Sequence, residues 1–222
     1  MEQYTGIVLN IPHSSTFMPV NDWVGDIHKH IEHWTDKFTD IIFKPNNNEC
    51  VKPVICPVSR FYCDCERLFN DPLETQGQGL YYTLFEDCTR TGEGKSNAIF
   101  LWQWYQYLLA SKIEEHNLII DCHSFPSEVA PLTHICIGYN EDWSKPSQEV
   151  IDFVVNYFLD YGYNVDINCP YSNSITPAAN VPYKSLMIEV NKKVYLDENG
   201  ELKGSAYKLN QCLNYLYKEL LK

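Results

Sequence analysis

The chain offers little positive charge: 17 lysines and arginines stand against 29 aspartates and glutamates, for a formal charge of -12. Non-specific binding to a phosphate backbone needs clustered Lys and Arg, which this sequence does not show, so a nucleic-acid partner is excluded. No uninterrupted apolar run approaches the roughly 20 residues of a spanning helix. Residues 1–11 carry no basic n-region and only a brief apolar stretch, so neither a signal peptide nor an anchor is read there, and a cytoplasmic protein without a membrane partner is expected. The nine cysteines show no CxxC and no paired zinc-finger spacing. Their odd number, in a chain that is not small, reads as reduced thiols and not as a disulfide scaffold. Cys63 and Cys65, placed on a strand, would point the same way at a separation unsuited to a relaxed disulfide, and are assigned to packing. Internal repeats, low-complexity tracts and interdomain linkers are also missing, so residues 1–222 are expected to form one domain.

What is present is the material for one substantial core, with 45% hydrophobic and 14% aromatic residues. Short apolar runs at 6–11, 51–58, 118–122, 132–138, 163–167 and 185–190 read as strands. Between them lie helical patterns. Residues 21–44 carry Ile27, Ile31, Trp34, Phe38 and Ile41 at helical spacing, in one helix or two. Residues 97–116 show a broad stripe with Phe100, Leu101, Trp104 and Leu108, and residues 147–161 and 205–221 complete the set. Residues 60–95 are polar and turn-rich, with no regular structure assignable, and residues 168–182 form a loop rich in Pro, Asn and Ser. The alternation predicts an α/β fold: a three-layer αβα arrangement with a central mixed, mostly parallel sheet and right-handed crossovers between parallel strands.

Two strands end in a His-Ser pair, at His13-Ser14 and His123-Ser124. The carboxyl edge of an α/β sheet is where such folds place their chemistry, so two imidazoles from non-adjacent strands can share one metal ion. A single His after a strand is more often a hydrogen-bonded scaffold residue, and the pair needs an acidic companion to read as a hydrolytic zinc site, which uses three protein ligands and leaves one position open. Asp36 is the first candidate. In one continuous helix it would point to solvent, whereas a new helix capped by Thr35 would place it in a first turn, facing the sheet edge. Asp121, two residues before His123, is the rival, better suited to orienting a neighbour. Glu189 lies near the end of its strand, either as a solvated edge residue, as a partner of Lys192, or as the general base beside a metal. Arg60 and Arg67 flank Phe61-Tyr62-Cys63-Asp64-Cys65-Glu66, either as surface ion-pair residues or as forks for a substrate carboxylate.

Taken together, Pro12-His13-Ser14, Thr35-Asp36, the Arg60 to Arg67 block, Asp121-Cys122-His123-Ser124, Asn168-Cys169-Pro170-Tyr171 and Ile188-Glu189-Val190-Asn191 leading to Tyr195 resemble the N-formylglutamate amidohydrolases, zinc hydrolases distantly similar to zinc carboxypeptidases. The resemblance runs over most of the chain. It implies a phosphorylase/hydrolase-like version of the predicted fold, with zinc held by His13, Asp36 and His123, and Glu189 as catalytic base. It further implies Arg67, Arg60 and Asn168 as substrate-binding residues and a small-molecule carboxylate as substrate. Where carboxypeptidases place an acidic ligand shortly after the first His, this chain has Thr16. The family usually has Gly at Ser15, Asn at Glu66, and a glycine pair where Asn173 and Ser174 stand. Two other readings stay open: a cysteine-dependent hydrolase using Cys122 or Cys63, and a non-catalytic ligand-binding or metal-binding protein on the same fold.

Overall fold

A computed structural model describes residues 2–222. Its elements in chain order are β1 (Gly6–Ile11), β2 (Trp23–Val24), α1 (Ile27–Trp34), α2 (Thr39–Ile42), β3 (Val51–Ile55), β4 (Leu84–Phe85), β5 (Cys88–Arg90), α3 (Lys95–Lys112), β6 (Asn117–Phe125), β7 (Ile135–Gly138), α4 (Gln148–Asp160), β8 (Val165–Ile167), β9 (Tyr183–Asn191) and α5 (Gly204–Leu220). Six strands form a sheet in the order β3-β1-β6-β9-β7-β8, and β2, β5 and β4 form a small antiparallel sheet. β3, β1, β6 and β9 run parallel; β7 is antiparallel to β9 and parallel to β8. The mixed, mostly parallel α/β sheet flanked by helices is the one the alternation of patterns predicts. β1 and β6 are direct neighbours, however, so the two His-bearing strands are adjacent.

The strand sequences explain the layering. Strands covered on both faces read as continuous apolar runs, and β1 and β6 are buried at every position. Because side chains alternate between faces, Ile7, Leu9 and Ile11 of β1, Leu118, Ile120 and Cys122 of β6, and Leu186, Ile188 and Val190 of β9 share one core with α4 and α5. Val8 and Ile119 face the other way, onto Ala98, Tyr105 and Leu109 of α3. The same alternation puts Asp121, His123 and Glu189 on the α3 side, at the carboxyl ends of β6 and β9. The edge strand β3 carries Pro53, which an edge tolerates because one side of its backbone has no partner to lose.

Several expected boundaries shift. Residues 21–44 are not one helix or two abutting ones: a bridge strand precedes α1, and Thr35, in extended conformation, caps the carboxyl end of α1 instead of starting α2. α2 begins only at Thr39, after Phe38 in the left-handed region at φ 66°. Asp36 therefore sits in the linker between the helices, not in a first turn. On α3 the buried face is Ala98, Tyr105 and Leu109, while Phe100 is 72% exposed and Trp104 43%, so the aromatic stripe faces outward. Residues 60–95 hold the β4–β5 hairpin and a short 3₁₀ turn at Pro72–Gln76. Cys63 and Cys65 lie in a turn before it, both free and buried, with sulfurs 3.8 Å apart. Among the described residues no helix is long and apolar enough to cross a membrane.

Candidate active site

At the carboxyl edge of β1, β6 and β9 the chain surrounds a cavity of about 710 Å³. His13, Asp36, Arg60, Glu66, Arg67, His123 and Glu189 all line it. His13 follows the end of β1, and its carbonyl accepts a hydrogen bond from the Asp36 N–H at 2.9 Å, which brings the α1–α2 linker to the strand end. The Asp36 carbonyl in turn accepts from Thr39 Oγ1 at 2.8 Å, so the linker is fixed from both sides. Asp36 Oδ2 then lies 3.0 Å from His123 Nδ1 and 3.7 Å from His13 Nδ1. His13, Asp36 and His123 are buried, and one donor atom from each falls within 4.8 Å of the others.

The far nitrogen of each imidazole meets a buried carboxylate. His13 Nε2 is 2.8 Å from Asp64 Oδ1, and His123 Nε2 is 3.1 Å from Asp121 Oδ1. With each Nε2 turned to its carboxylate, Nδ1 is the nitrogen each ring directs towards Asp36, and His123 Nδ1 lies within hydrogen-bonding distance of it. Asp64 is completely enclosed and also accepts from Arg60 at 3.0 Å and from the Tyr82 hydroxyl at 2.9 Å. Asp121 accepts from Asn10 at 2.6 Å and from the Ile175 N–H at 2.9 Å, and Asn10 accepts from the Tyr105 hydroxyl at 2.6 Å. A chain of hydrogen bonds thus runs from α3 through β1 to His123. Residues 60–67 gave no periodicity from which to place Asp64, so its contact with His13 was illegible; Asp121 was readable as an orienting group from its i, i+2 relation to His123 on one strand face.

Glu66 faces the histidines, with Oε1 3.1 Å from His123 Nε2 and Oε2 3.6 Å from His13 Nδ1. Glu189 pairs with His123 in the β6–β9 register, is buried, and keeps Oε2 without a hydrogen-bond partner. It is thus neither a solvated edge residue nor hydrogen-bonded to Lys192, whose ammonium donates to the His33 carbonyl. Arg60 and Arg67 are partly buried and both lean on Asp64; the Arg67 Nε, at 3.6 Å, stays outside hydrogen-bonding range. Neither is a surface ion-pair residue. Asn168 does not line the cavity: it sits in the left-handed region at φ 52° and its side-chain oxygen accepts from the Tyr139 N–H at 3.1 Å, a turn-forming role after β8.

The electrostatics follow from carboxylates crowded around two imidazoles. Burial alone would lower the His123 pKa, but Glu66 and Asp121 outweigh it and hold it well above the ordinary value. Burial pushes Asp64 up, and His13 with Arg60 pulls it well below the carboxylate range. Burial likewise pushes Glu66 up, and His123 and His13 hold it at about 2. For Glu189 burial wins, and its carboxyl is pushed up to about 8. The thiols stand apart from this chemistry. Cys122 points into the core shared with α5, where burial raises its pKa far above the usual thiol range, and Cys63 donates to the Ala98 carbonyl at 3.2 Å in the opposite core. Neither lines the cavity.

The family model of the N-formylglutamate amidohydrolases matches residues 5–196. The chain belongs to the N-formylglutamate amidohydrolase family. Among solved structures it is similar to an N-formylglutamate amidohydrolase from Ralstonia eutropha JMP134, with a TM-score of 0.80 and 18% identity over 99% of this chain and 93% of that one. It is also similar to a gene product of Agrobacterium tumefaciens, with a TM-score of 0.66 and 14% identity over 98% of this chain and 92% of that one. At these identities the likeness speaks for the fold. No curated protein matches the chain in sequence. Membership makes this an N-formylglutamate amidohydrolase-type hydrolase, acting on a small molecule. Of the positions where the resemblance marks a departure, Glu66, Asn173 and Ser174 line the cavity and Ser15 does not. Asn173 takes φ 74°, a conformation natural to glycine and tolerated by Asn.

Proposed function

We propose that the protein is a zinc-dependent amidohydrolase that cleaves the amide bond of an N-formyl or N-acyl amino acid. One observation carries the reading: His13 Nδ1, His123 Nδ1 and Asp36 Oδ2 converge, while each imidazole is backed on its other nitrogen by a buried carboxylate. That pattern is how proteins orient histidine ligands and raise their basicity. The donor set, two imidazoles and one carboxylate, suits catalytic zinc, which would displace the ring protons on binding, and His13 Nδ1 is a buried nitrogen with no hydrogen-bond partner. The crowd of carboxylates favours a cation at the same point. Bound there, zinc supplies a Lewis acid for the amide carbonyl oxygen and lowers the pKa of water to about 7.

The chain's own groups supply the rest. Glu189 has a free buried oxygen beside His123; its carboxyl, pushed up to about 8 by burial, would ionise next to a bound cation and then take a proton from water as the water oxygen attacks the carbonyl carbon. It returns that proton to the departing nitrogen as the C–N bond breaks, so a carboxylic acid and a free amino acid leave. Arg67, whose Nε has no hydrogen-bond partner, holds the substrate carboxylate together with Arg60, which Asp64 keeps fixed. The test pairs metal content with turnover. Protein purified without added metal is expected to hold about one zinc per chain, lost in His123→Ala. Glu189→Gln is expected to keep zinc and lose roughly 10²- to 10⁴-fold in kcat on N-formyl amino acids. Loss of zinc from Glu189→Gln, or full activity after chelation, overturns the assignment.

A further inference from the structure

The cavity departs from what a small dianion needs in its charge and in its aromatic border, and this inference rests on the amidohydrolase reading above. Besides the histidines, its only cationic side chains among the described residues are Arg60 and Arg67. Both lean on the same enclosed carboxylate, Asp64, which offsets one of the two charges. Glu66 adds a carboxylate between the arginine block and the histidines, with its side chain 28% exposed to the cavity, and Asp71 and Glu86 add two more along the wall. One substrate carboxylate therefore finds a counter-charge, and a second meets like charge.

Of the rest of the wall, part is apolar and the remainder is polar but uncharged, with Gln78, Gln106, Asn140 and Ser172 among it. Phe61, Tyr82, Phe85 and Trp34 form one contiguous aromatic group, with Phe61 and Phe85 centroids 4.9 Å apart and Trp34 and Phe85 6.3 Å apart. Leu68 and Trp102 also line the cavity, and Leu68 is 65% exposed there. At about 710 Å³ the cavity has room for an N-formyl amino acid with a bulky side chain. A space bordered on one side by rings and carrying Glu66, Asp71 and Glu86 selects an uncharged group, and the ring-lined side favours an apolar one.

We propose that the substrate is an N-formyl amino acid with one carboxylate and an uncharged, apolar side chain, and that Glu66 sets this preference against N-formylglutamate. The experiment is a kcat/KM panel on zinc-loaded enzyme with the N-formyl derivatives of methionine, phenylalanine, glutamine and glutamate. Glutamine and glutamate differ by charge at nearly equal size, so their ratio isolates the effect. N-formylglutamine is expected to be favoured over N-formylglutamate by about tenfold or more, with methionine and phenylalanine better still. Glu66→Gln is expected to narrow the glutamine-to-glutamate ratio, mainly through KM for N-formylglutamate. Wild-type preference for N-formylglutamate overturns the proposal while leaving the amidohydrolase reading intact. Zinc loss from Glu66→Gln, measured on the same samples, also overturns it by making Glu66 a ligand. No turnover of any of the four or of their N-acetyl counterparts defeats the amidohydrolase reading itself, and turnover of the N-acetyl compounds alone overturns the N-formyl assignment.

Discussion

At the scale of single residues, the informative positions were those whose place in a strand could be read. His13 and His123 follow apolar runs, Glu189 lies near the end of a third, and alternation along β6 and β9 puts Asp121, His123 and Glu189 on one face. Asp64 had no such frame. It lies in a turn whose sequence, Phe61-Tyr62-Cys63-Asp64-Cys65-Glu66, carries no period, so its four hydrogen-bond partners, His13, Arg60, Tyr82 and the Glu66 N–H, emerge only in three dimensions. As the group that fixes the His13 ring and the Arg60 guanidinium, Asp64 is a positioning residue. Asp64→Asn keeps its size while removing the charge, and is expected to weaken zinc binding by about 10- to 100-fold in chelator competition. Unchanged zinc affinity in a folded variant would show that His13 needs no such backing.

At the scale of elements, the hardest segment was residues 21–44. The apolar spacing from Ile27 to Phe38 continues across the break without Gly or Pro to mark it; the phase slips only afterwards, where Ile41 is 44% exposed and Ile42 and Phe43 are enclosed. Just before this segment, Asp22 ties three elements together. It accepts from Arg90 of β5 and from the Tyr81 hydroxyl, each at 2.6 Å, and from the Gly94 N–H, the residue before α3, at 3.0 Å. Arg90 lies 3.7 Å over the Tyr81 ring and, like Asp22, has an enclosed side chain. Burial pushes the Asp22 carboxyl up, but Tyr81, Arg90 and Gly94 outweigh it and hold it below its ordinary value of 3.8. A lowered folded pKa gives stability that is present above pH 3.8 and lost as pH falls through the folded value. Asp22→Asn removes the ion pair and leaves Arg90 enclosed without a counter-charge. Urea unfolding near neutral pH is expected to show a loss of about 3–5 kcal/mol. The difference between wild type and variant should shrink as pH drops below 3.8; a gap that stays constant there would exclude the ion pair as its source.

At the scale of the whole molecule, the three proposed ligands belong to segments that the sheet alone does not lock together. The β6 backbone is paired with β1 on one side and β9 on the other, so His123 sits on a frame stable without any ligand. His13 lies past the last paired residue of β1, and Asp36 lies in a linker anchored chiefly through its own backbone. Zinc joining them would therefore stabilise the folded state by mass action, by about 2.7 kcal/mol when free metal stands at roughly 100 times its Kd. For a chain of this length that corresponds to about 5–10 °C in Tm. Chelation is expected to lower the Tm of the loaded enzyme by that order and to speed amide hydrogen exchange at residues 13–17 and 35–39, while β6 stays protected. His13→Ala should show the lower Tm at once and no further response to chelator. If chelation left both Tm and exchange at the linker unchanged, the linker and the strand ends would be held by protein contacts alone, and the reading of His13, Asp36 and His123 as one metal centre would fall.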